Sequence, residues 1–486
     1  MNRSIRNVAV VVTCLFALIA ASLTYRQFFE ATKLNADPRN SREAFKEFTQ
    51  ARGAILVDGK AIAESVPSND QYKFQRNYAN GPLYAPLTGF YSLIYGATEL
   101  ESTMNPELAG ENNPEVYSQL LRSITRSQEK GSSIELTIDP KLQQIAYDAM
   151  GSYRGSVVAL DPKTGNVLAM VSTPSYDPNA LASHNGTDVN NTYKKLIADP
   201  NKPLYNRAIS GDLYAPASTF KIITSAAALE SGKYTEDTLV EGRSPITLPG
   251  TNTSLPNDAN EYCKGQAQVE MKWALANSCN TAFATIGIDL GNQAMTDITN
   301  KFGFNKQLNI PLPVTPSTFP TGMDNSQLGT SSIGQWNVKE TPLQIAMNTS
   351  AIANGGVIMK PNLIKNVRAS DMQITDQPQP EKYLQAVSAD TASKITDMMK
   401  LSVSQGVAYS ADLSAQGVTV AGKTGTAETT DGGKFNLLFT GFAPADDPKI
   451  VIAVVVEEGG DATTEASGNS VAVPIATQVL KGALGL

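Results

Sequence analysis

The chain has 486 residues, a net charge of −7, three cysteines and a single histidine. Its length suggests two or three domains, and an apolar content of 41% with 7% aromatic residues excludes wholesale disorder. One histidine excludes zinc sites that need two or more, and an acidic balance with no basic run argues against a nucleic-acid surface. An imidazole-based triad would rest on His184 alone, in the polar stretch Ser183-His184-Asn185-Gly186-Thr187, which reads as a solvated loop. Acid–base chemistry is therefore expected from other side chains.

Residues 7–25 carry no charge, and 8–23 are almost wholly apolar, enough for one membrane helix of about 20 residues. Arg3 and Arg6 precede the run, which predicts a short cytoplasmic N-terminus. Ala20-Ala21-Ser22 would also suit a cleaved signal peptide, but the length of the run and Arg26 just after it favour an uncleaved anchor. Cys14 follows Thr13 and does not read as a lipidation site. No second span follows, so a single-pass protein with an extracytoplasmic body is expected in the cell membrane. Disulfides persist there. Cys263 and Cys279, 16 positions apart, are either free buried thiols or a disulfide whose closure would contribute about 3 kcal/mol.

Residues 29–130 read as a mixed module, with a strand at 53–57 ending in the hairpin dipeptide Asp58-Gly59. Residues 122–133 are charged, poor in apolar side chains and linker-like. The texture changes at Ile134, which divides the chain into an anchor at 1–28, a module at 29–130 and a large domain at 131–486. Strands are expected at 156–160 and 166–171 around the turn Asp161-Pro162-Lys163-Thr164-Gly165. A helical middle follows, then strands at 418–421, 436–442 and 450–456 and a last helix at 470–484. Early and late strands around a helical middle predict an α+β domain whose antiparallel sheet is assembled from both ends of the segment.

Three short motifs carry chemistry. Ser218-Thr219-Phe220-Lys221 opens an Ala-rich helical run ending at Gly232, and residues three apart share a helix face. A serine hydroxyl becomes a nucleophile when a neighbouring base takes its proton, which an uncharged lysine does. A second match, Ser127-Gln128-Glu129-Lys130, sits in the linker and reads as accidental. Ser278-Cys279-Asn280 falls between helical stretches at 269–277 and 281–290, where a loop can aim a hydroxyl and an amide into one cleft. Taken singly it would pass for a helix cap. Lys423-Thr424-Gly425-Thr426 runs out of the strand expected at 418–421, with a glycine that admits close approach and a lysine suited to a carboxylate.

In this order the three motifs are the set shared by penicillin-binding proteins and β-lactamases. The chain resembles the class B penicillin-binding proteins, in their actinobacterial penicillin-binding protein A branch. Further stretches are similar: Arg52-Gly53-Ala54-Ile55 with Asp58-Gly59, Gly96-Ala97-Thr98-Glu99-Leu100-Glu101, Leu136-Thr137-Ile138-Asp139, Asn206-Arg207-Ala208, Gly334-Gln335 and Phe439-Thr440-Gly441-Phe442-Ala443-Pro444. Two positions depart from the pattern: Ala217 replaces the usual Gly before the serine, and Trp336 replaces the Gly after Gly334-Gln335.

The resemblance implies a five-stranded antiparallel sheet flanked by helices, an all-helical part and an N-terminal α+β pedestal. It implies Ser218 as acylating nucleophile, Lys221 as its base, Ser278 as proton relay, Asn280 as the group that orients Lys221, and Lys423, Thr424, Gly425 and Thr426 as the carboxylate site. The backbone N–H groups of Ser218 and Thr426 would form an oxyanion hole. The implied reaction is D,D-transpeptidation of peptidoglycan stem peptides, without metal or organic cofactor, and β-lactams would acylate Ser218. Implied partners are a membrane glycan polymerase and division or elongation proteins. Alternatives are a D,D-carboxypeptidase, a β-lactamase-like hydrolase, and a non-catalytic β-lactam sensor or scaffold.

Overall fold

The computed structural model describes residues 3–28, 30, 48–110, 131–429, 433–461 and 466–486. Most of the expected linker, with Ser127 and Lys130, lies outside them. In chain order, helix α1 (Arg3–Phe28) precedes strands β1 (Ile55–Val57), β2 (Lys60–Pro67) and β3 (Phe74–Tyr78) and helix α2 (Gly81–Thr88). Next come β4 (Ser133–Leu136), α3 (Pro140–Met150), β5 (Gly155–Leu160), β6 (Val167–Thr173) and α4 (Gly186–Ala198). The helical middle holds α5 (Lys221–Glu230), α6 (Met271–Ala276), α7 (Asn280–Lys301) and α8 (Pro342–Ala353). After it come β7 (Ile364–Arg368), β8 (Ile374–Asp376), α9 (Ala389–Gln405), β9 (Ala421–Glu428), β10 (Lys434–Ala443), β11 (Ile450–Asp461) and α10 (Val473–Leu484). Within α1, Ile5–Arg26 is long and apolar enough to cross a membrane, and none of it is buried against the rest of the chain.

The predicted sheet from both ends of the large domain is present: an antiparallel sheet in the order β9-β10-β11-β5-β6. Its central strand is a continuous apolar run that sorts by alternation. Val451, Ala453 and Val455 face the core shared with α5 and α8, while Ile450, Ile452, Val454 and Val456 face Leu142 and Ala146 of α3 and Ala476 and Val479 of α10. A strand covered by helices on both sides has no wet face, so it carries no polar alternation.

The pedestal sheet runs β8-β7-β4-β1-β2-β3, so the two strands at one edge, β7 and β8, come from far along the chain. Asp58 and Gly59 have φ of 49° and 70°, the left-handed pair that a two-residue hairpin between β1 and β2 needs. Beneath the sheet Glu101 accepts from Arg52 Nε and Arg76 Nε, each at 2.6 Å, and from the Tyr78 hydroxyl at 3.2 Å. Burial opposes its charge, but the two guanidiniums hold the carboxyl below its ordinary range. Two stretches with the family pattern, around Arg52 and Glu101, thus meet in one buried ion cluster.

Several expectations are corrected. The strand expected at 418–421 begins at Ala421 and runs through Lys423-Thr424-Gly425 to Glu428, because pairing with β10 along its length overrides the weak strand preference of those residues. Val269 belongs to a short strand, Gln268–Glu270, ahead of α6, and α7 continues past Leu290 through a bend at Gly291 to Lys301. His184 is not solvated: Nδ1 is hydrogen-bonded to Asp70 of the pedestal, and the ring lies 4.9 Å from that of Tyr72.

Candidate active site

Residues 217–220 form a tight 3-10 turn feeding α5, which sets Ser218 and Lys221 on the same side. Ala217 enters the turn with φ of 49°, a left-handed conformation that suits the glycine expected there. Its N–H is held by the Gly334 carbonyl at 2.9 Å, and Thr224 donates to the Ser332 carbonyl at 2.6 Å. A Cβ on Gly334 would stand 2.2 Å from the Ala217 oxygen and 2.7 Å from Phe220 Cβ, so only glycine lets this loop brace the turn. Ser218 is half-buried, and its hydroxyl makes no hydrogen bond among the described residues.

Lys221 is wholly buried. Its Nζ donates to the Ser278 carbonyl at 2.6 Å and to Asn280 Oδ1 at 2.7 Å, with Ser278 Oγ 3.4 Å away. Asn280 is fixed in turn by donating from Nδ2 to the Pro256 carbonyl at 2.9 Å, which leaves Oδ1 for the lysine. Ser278 has φ of 59°, a second left-handed residue in the cleft. Lys423, also wholly buried, donates to Ser278 Oγ at 2.8 Å and to the Thr424 carbonyl at 3.1 Å.

Burial first, and the neighbouring Lys423 second, hold the Lys221 amine well below its ordinary range, with Asp258 opposing. Burial brings Lys423 down to about 7. An uncharged Lys221 has two N–H groups and one lone pair. In that form the two shortest contacts, to the Ser278 carbonyl and Asn280 Oδ1, take the two N–H groups and leave the lone pair to accept a proton.

Strand β9 lies at the edge of its sheet, so alternate backbone groups are free to pair with an extended ligand. A Cβ at Gly425 would lie 3.2 Å from both the Pro216 oxygen and Thr219 Cγ2, and its absence lets the turn bearing Ser218 press against the strand. Thr424 is buried, and Thr426 stands exposed two positions on. The structure therefore gathers the Ser218, Ser278 and Lys423 segments around one cleft. Cys263 and Cys279 meet there too, with sulfurs 1.98 Å and Cα atoms 5.7 Å apart, tying the 256–265 loop to the residue between Ser278 and Asn280. Pro256 and the bracing role of Gly334 were not assigned from sequence. Pro256 left no signal, because it acts through its backbone carbonyl.

The chain matches the family described as penicillin binding protein transpeptidase domain over residues 155–481, and the penicillin binding protein A dimerisation domain over residues 52–134. It is 40% identical to the peptidoglycan D,D-transpeptidase PbpA of Mycolicibacterium smegmatis, covering 100% of this chain and 99% of the relative. It is 38% identical to PbpA of Mycobacterium tuberculosis, again over 100% and 99%. Among solved structures, the ceftriaxone acyl-enzyme of penicillin-binding protein A from M. tuberculosis superposes with a TM-score of 0.86 at 38% identity, covering 90% of this chain and 100% of that one. Its penicillin G acyl-enzyme gives 0.84 over the same shares. With its Ser218 turn, two buried lysines and pedestal sheet, this chain belongs to the class B penicillin-binding protein transpeptidases.

Proposed function

We propose that the protein is a peptidoglycan D,D-transpeptidase acting through a Ser218 acyl-enzyme. The observation that carries this reading is the buried Lys221 amine, held by the Ser278 carbonyl and Asn280 Oδ1 and kept by burial and Lys423 well below its ordinary range. Ser218 Oγ attacks the penultimate carbonyl of a stem peptide ending in D-alanyl-D-alanine, and Lys221 takes the hydroxyl proton. The oxyanion forms at the backbone N–H groups of Ser218 and Thr426, where losing one donor costs about 3–4 kcal/mol. The C–N bond breaks, and the proton passes through Ser278 to the departing D-alanine amine. An amine of a neighbouring strand attacks the ester and gives a proton to Lys221, which passes it to Ser218 Oγ as the ester C–O bond breaks, leaving a new amide cross-link and the free serine. Lys423, Thr424 and Thr426 hold the donor carboxylate, and β-lactams acylate Ser218 by the same attack.

The pedestal, built on residues 29–130 with β4, β7 and β8 added from the later chain, and the catalytic domain formed by the rest of 131–486 stand outside the membrane on α1, with the N-terminal tip cytoplasmic because Arg3 and Arg6 precede the apolar run. The pedestal would dock a membrane glycan polymerase and proteins of division or elongation.

Intact-mass analysis after exposure to penicillin tests the chemistry. A stable adduct that disappears in Ser218→Ala supports it; no adduct, or rapid release as hydrolysed penicillin, overturns it. Product analysis with a donor and an acceptor strand separates cross-linking from carboxypeptidase trimming.

A further inference from the structure

A cavity of about 160 Å³ lies where the pedestal meets the catalytic domain. Ala85, Phe90 and Glu99 line it from the pedestal, and Tyr176, Tyr193 and Tyr205 from the catalytic side. The ring of Phe90 stands edge-on to Tyr176 at 6.3 Å and to Tyr193 at 6.4 Å, and Tyr193 is braced by a 3.7 Å stack on Tyr95. Within these aromatic walls sits one carboxylate. The Glu99 carboxylate, partly exposed in the cavity wall, has no hydrogen bond and no ion pair among the described residues, and the burial around it pushes it up to about 7. Tyr176, which shares the cavity lining with Glu99, has its hydroxyl raised above its ordinary range by burial first and the Glu99 charge second, with a hydrogen bond to Thr98 opposing. Glu99 also holds φ of 47°, a backbone conformation that a glutamate seldom adopts without compensation. Lys202, whose Nζ lies 5.2 Å from the Tyr205 ring centre, is already paired with Asp212.

The pattern is one of unmet demand for positive charge. Aromatic ring faces attract cations, and a partly buried carboxylate without a partner attracts them further. The volume is close to that of an engineered cavity that takes up benzene, roughly 150 Å³, so the occupant is small. We propose that this cavity binds an aliphatic ammonium group on a chain of four or five carbons. The charge would rest against Glu99, and the methylenes against Phe90, Tyr176 and Tyr193. The site is separate from the Ser218 cleft: Tyr205 accepts from Ser172 of β6, four strands across the sheet from β9, roughly 19 Å at the usual strand spacing. The ammonium group could belong to a free diamine or to a lysine-type side chain of a peptide.

Calorimetric titration of the full chain in detergent tests the proposal with four probes: pentylammonium, 1,5-diaminopentane, Nα-acetyl-lysine methylamide, and neutral pentan-1-ol of the same length. Pentylammonium is expected to bind at least tenfold more tightly than pentan-1-ol, and Glu99→Gln to lose that preference while penicillin still acylates Ser218 at the parent rate. Tighter binding of the diamine assigns the site to free amines; tighter binding of the lysine derivative assigns it to a peptide side chain. Equal binding of pentylammonium and pentan-1-ol by the parent chain overturns the proposal, however Glu99→Gln folds. So does unchanged pentylammonium affinity in a well-folded Glu99→Gln.

Discussion

Lys423 donates to the hydroxyl of Ser278 at 2.8 Å, and that same oxygen lies 3.4 Å from Lys221. One hydroxyl thus stands between two buried amines. The charge on Lys423 helps keep Lys221 unprotonated, so removing it raises the affinity of Lys221 for a proton. Acylation needs Lys221 uncharged. In Lys423→Gln the acid limb of the rate of penicillin acylation against pH should therefore move to higher pH, and the maximum rate should fall by roughly 30-fold or more as the carboxylate anchor is lost. An acid limb that stays in place would show that Lys423 does not tune Lys221.

Gly334 braces the turn that carries the nucleophile, and a methyl group there overlaps the Ala217 oxygen. Gly334→Ala should slow acylation by about 100-fold through displacement of Ser218, a shift of about an ångström being sufficient. Stopped-flow acylation with a chromogenic cephalosporin measures it. Parent-like kinetics in a folded variant would remove the loop from the account.

The bond between Cys263 and Cys279 closes a loop at the residue flanked by Ser278 and Asn280. A non-reducing digest should recover the two cysteines in one linked peptide. The double variant Cys263→Ser, Cys279→Ser should lose about 3 kcal/mol in denaturant unfolding and acylate more slowly. Two free thiols in the digest would remove the constraint.

Glu340 is buried beneath the lead-in to the nucleophile, its backbone paired with Tyr214 and its Oε2 accepting from Asn348 at 2.9 Å. Oε1 has no partner among the described residues. Burial pushes this carboxyl well above its ordinary range, with the Asn348 hydrogen bond opposing. The folded state therefore holds the proton more tightly than the unfolded state. Its contribution to stability is complete below the ordinary carboxylate range and is lost as pH rises through the folded value. Glu340→Gln keeps the acceptor and removes the titration, so its melting temperature should overtake that of the parent as pH rises, by roughly 2–4 °C per kcal/mol. Melting curves that stay parallel across pH would contradict this.

The groups proposed as catalytic were legible in sequence because each motif is local. Ser218 and Lys221 share a turn, Ser278 and Asn280 share a loop, and Lys423 starts a fixed tetrapeptide. Their meeting is not local, and it was reached through resemblance to a family rather than through spacing. The strand carrying Lys423 was misplaced because Lys-Thr-Gly-Thr has little strand preference of its own and is held by β10. The solvated reading of His184 failed for a related reason: its polar neighbours say nothing of Asp70, 114 positions away. Glu340 and Gly334 look ordinary in sequence, since burial in one case and a backbone contact in the other give them their importance.

Glu135 of β4 pairs with Arg368 of β7, 233 positions later in the chain. At a synthesis rate of about 5–20 residues per second, that partner strand emerges roughly 10–50 s after β4. For that interval a newborn chain carries an open sheet edge beside β1, the kind of edge that pairs with other chains. Yield in overexpression should thus depend on how fast the ribosome covers the stretch between β4 and β7, and slow codons there would lengthen the exposure.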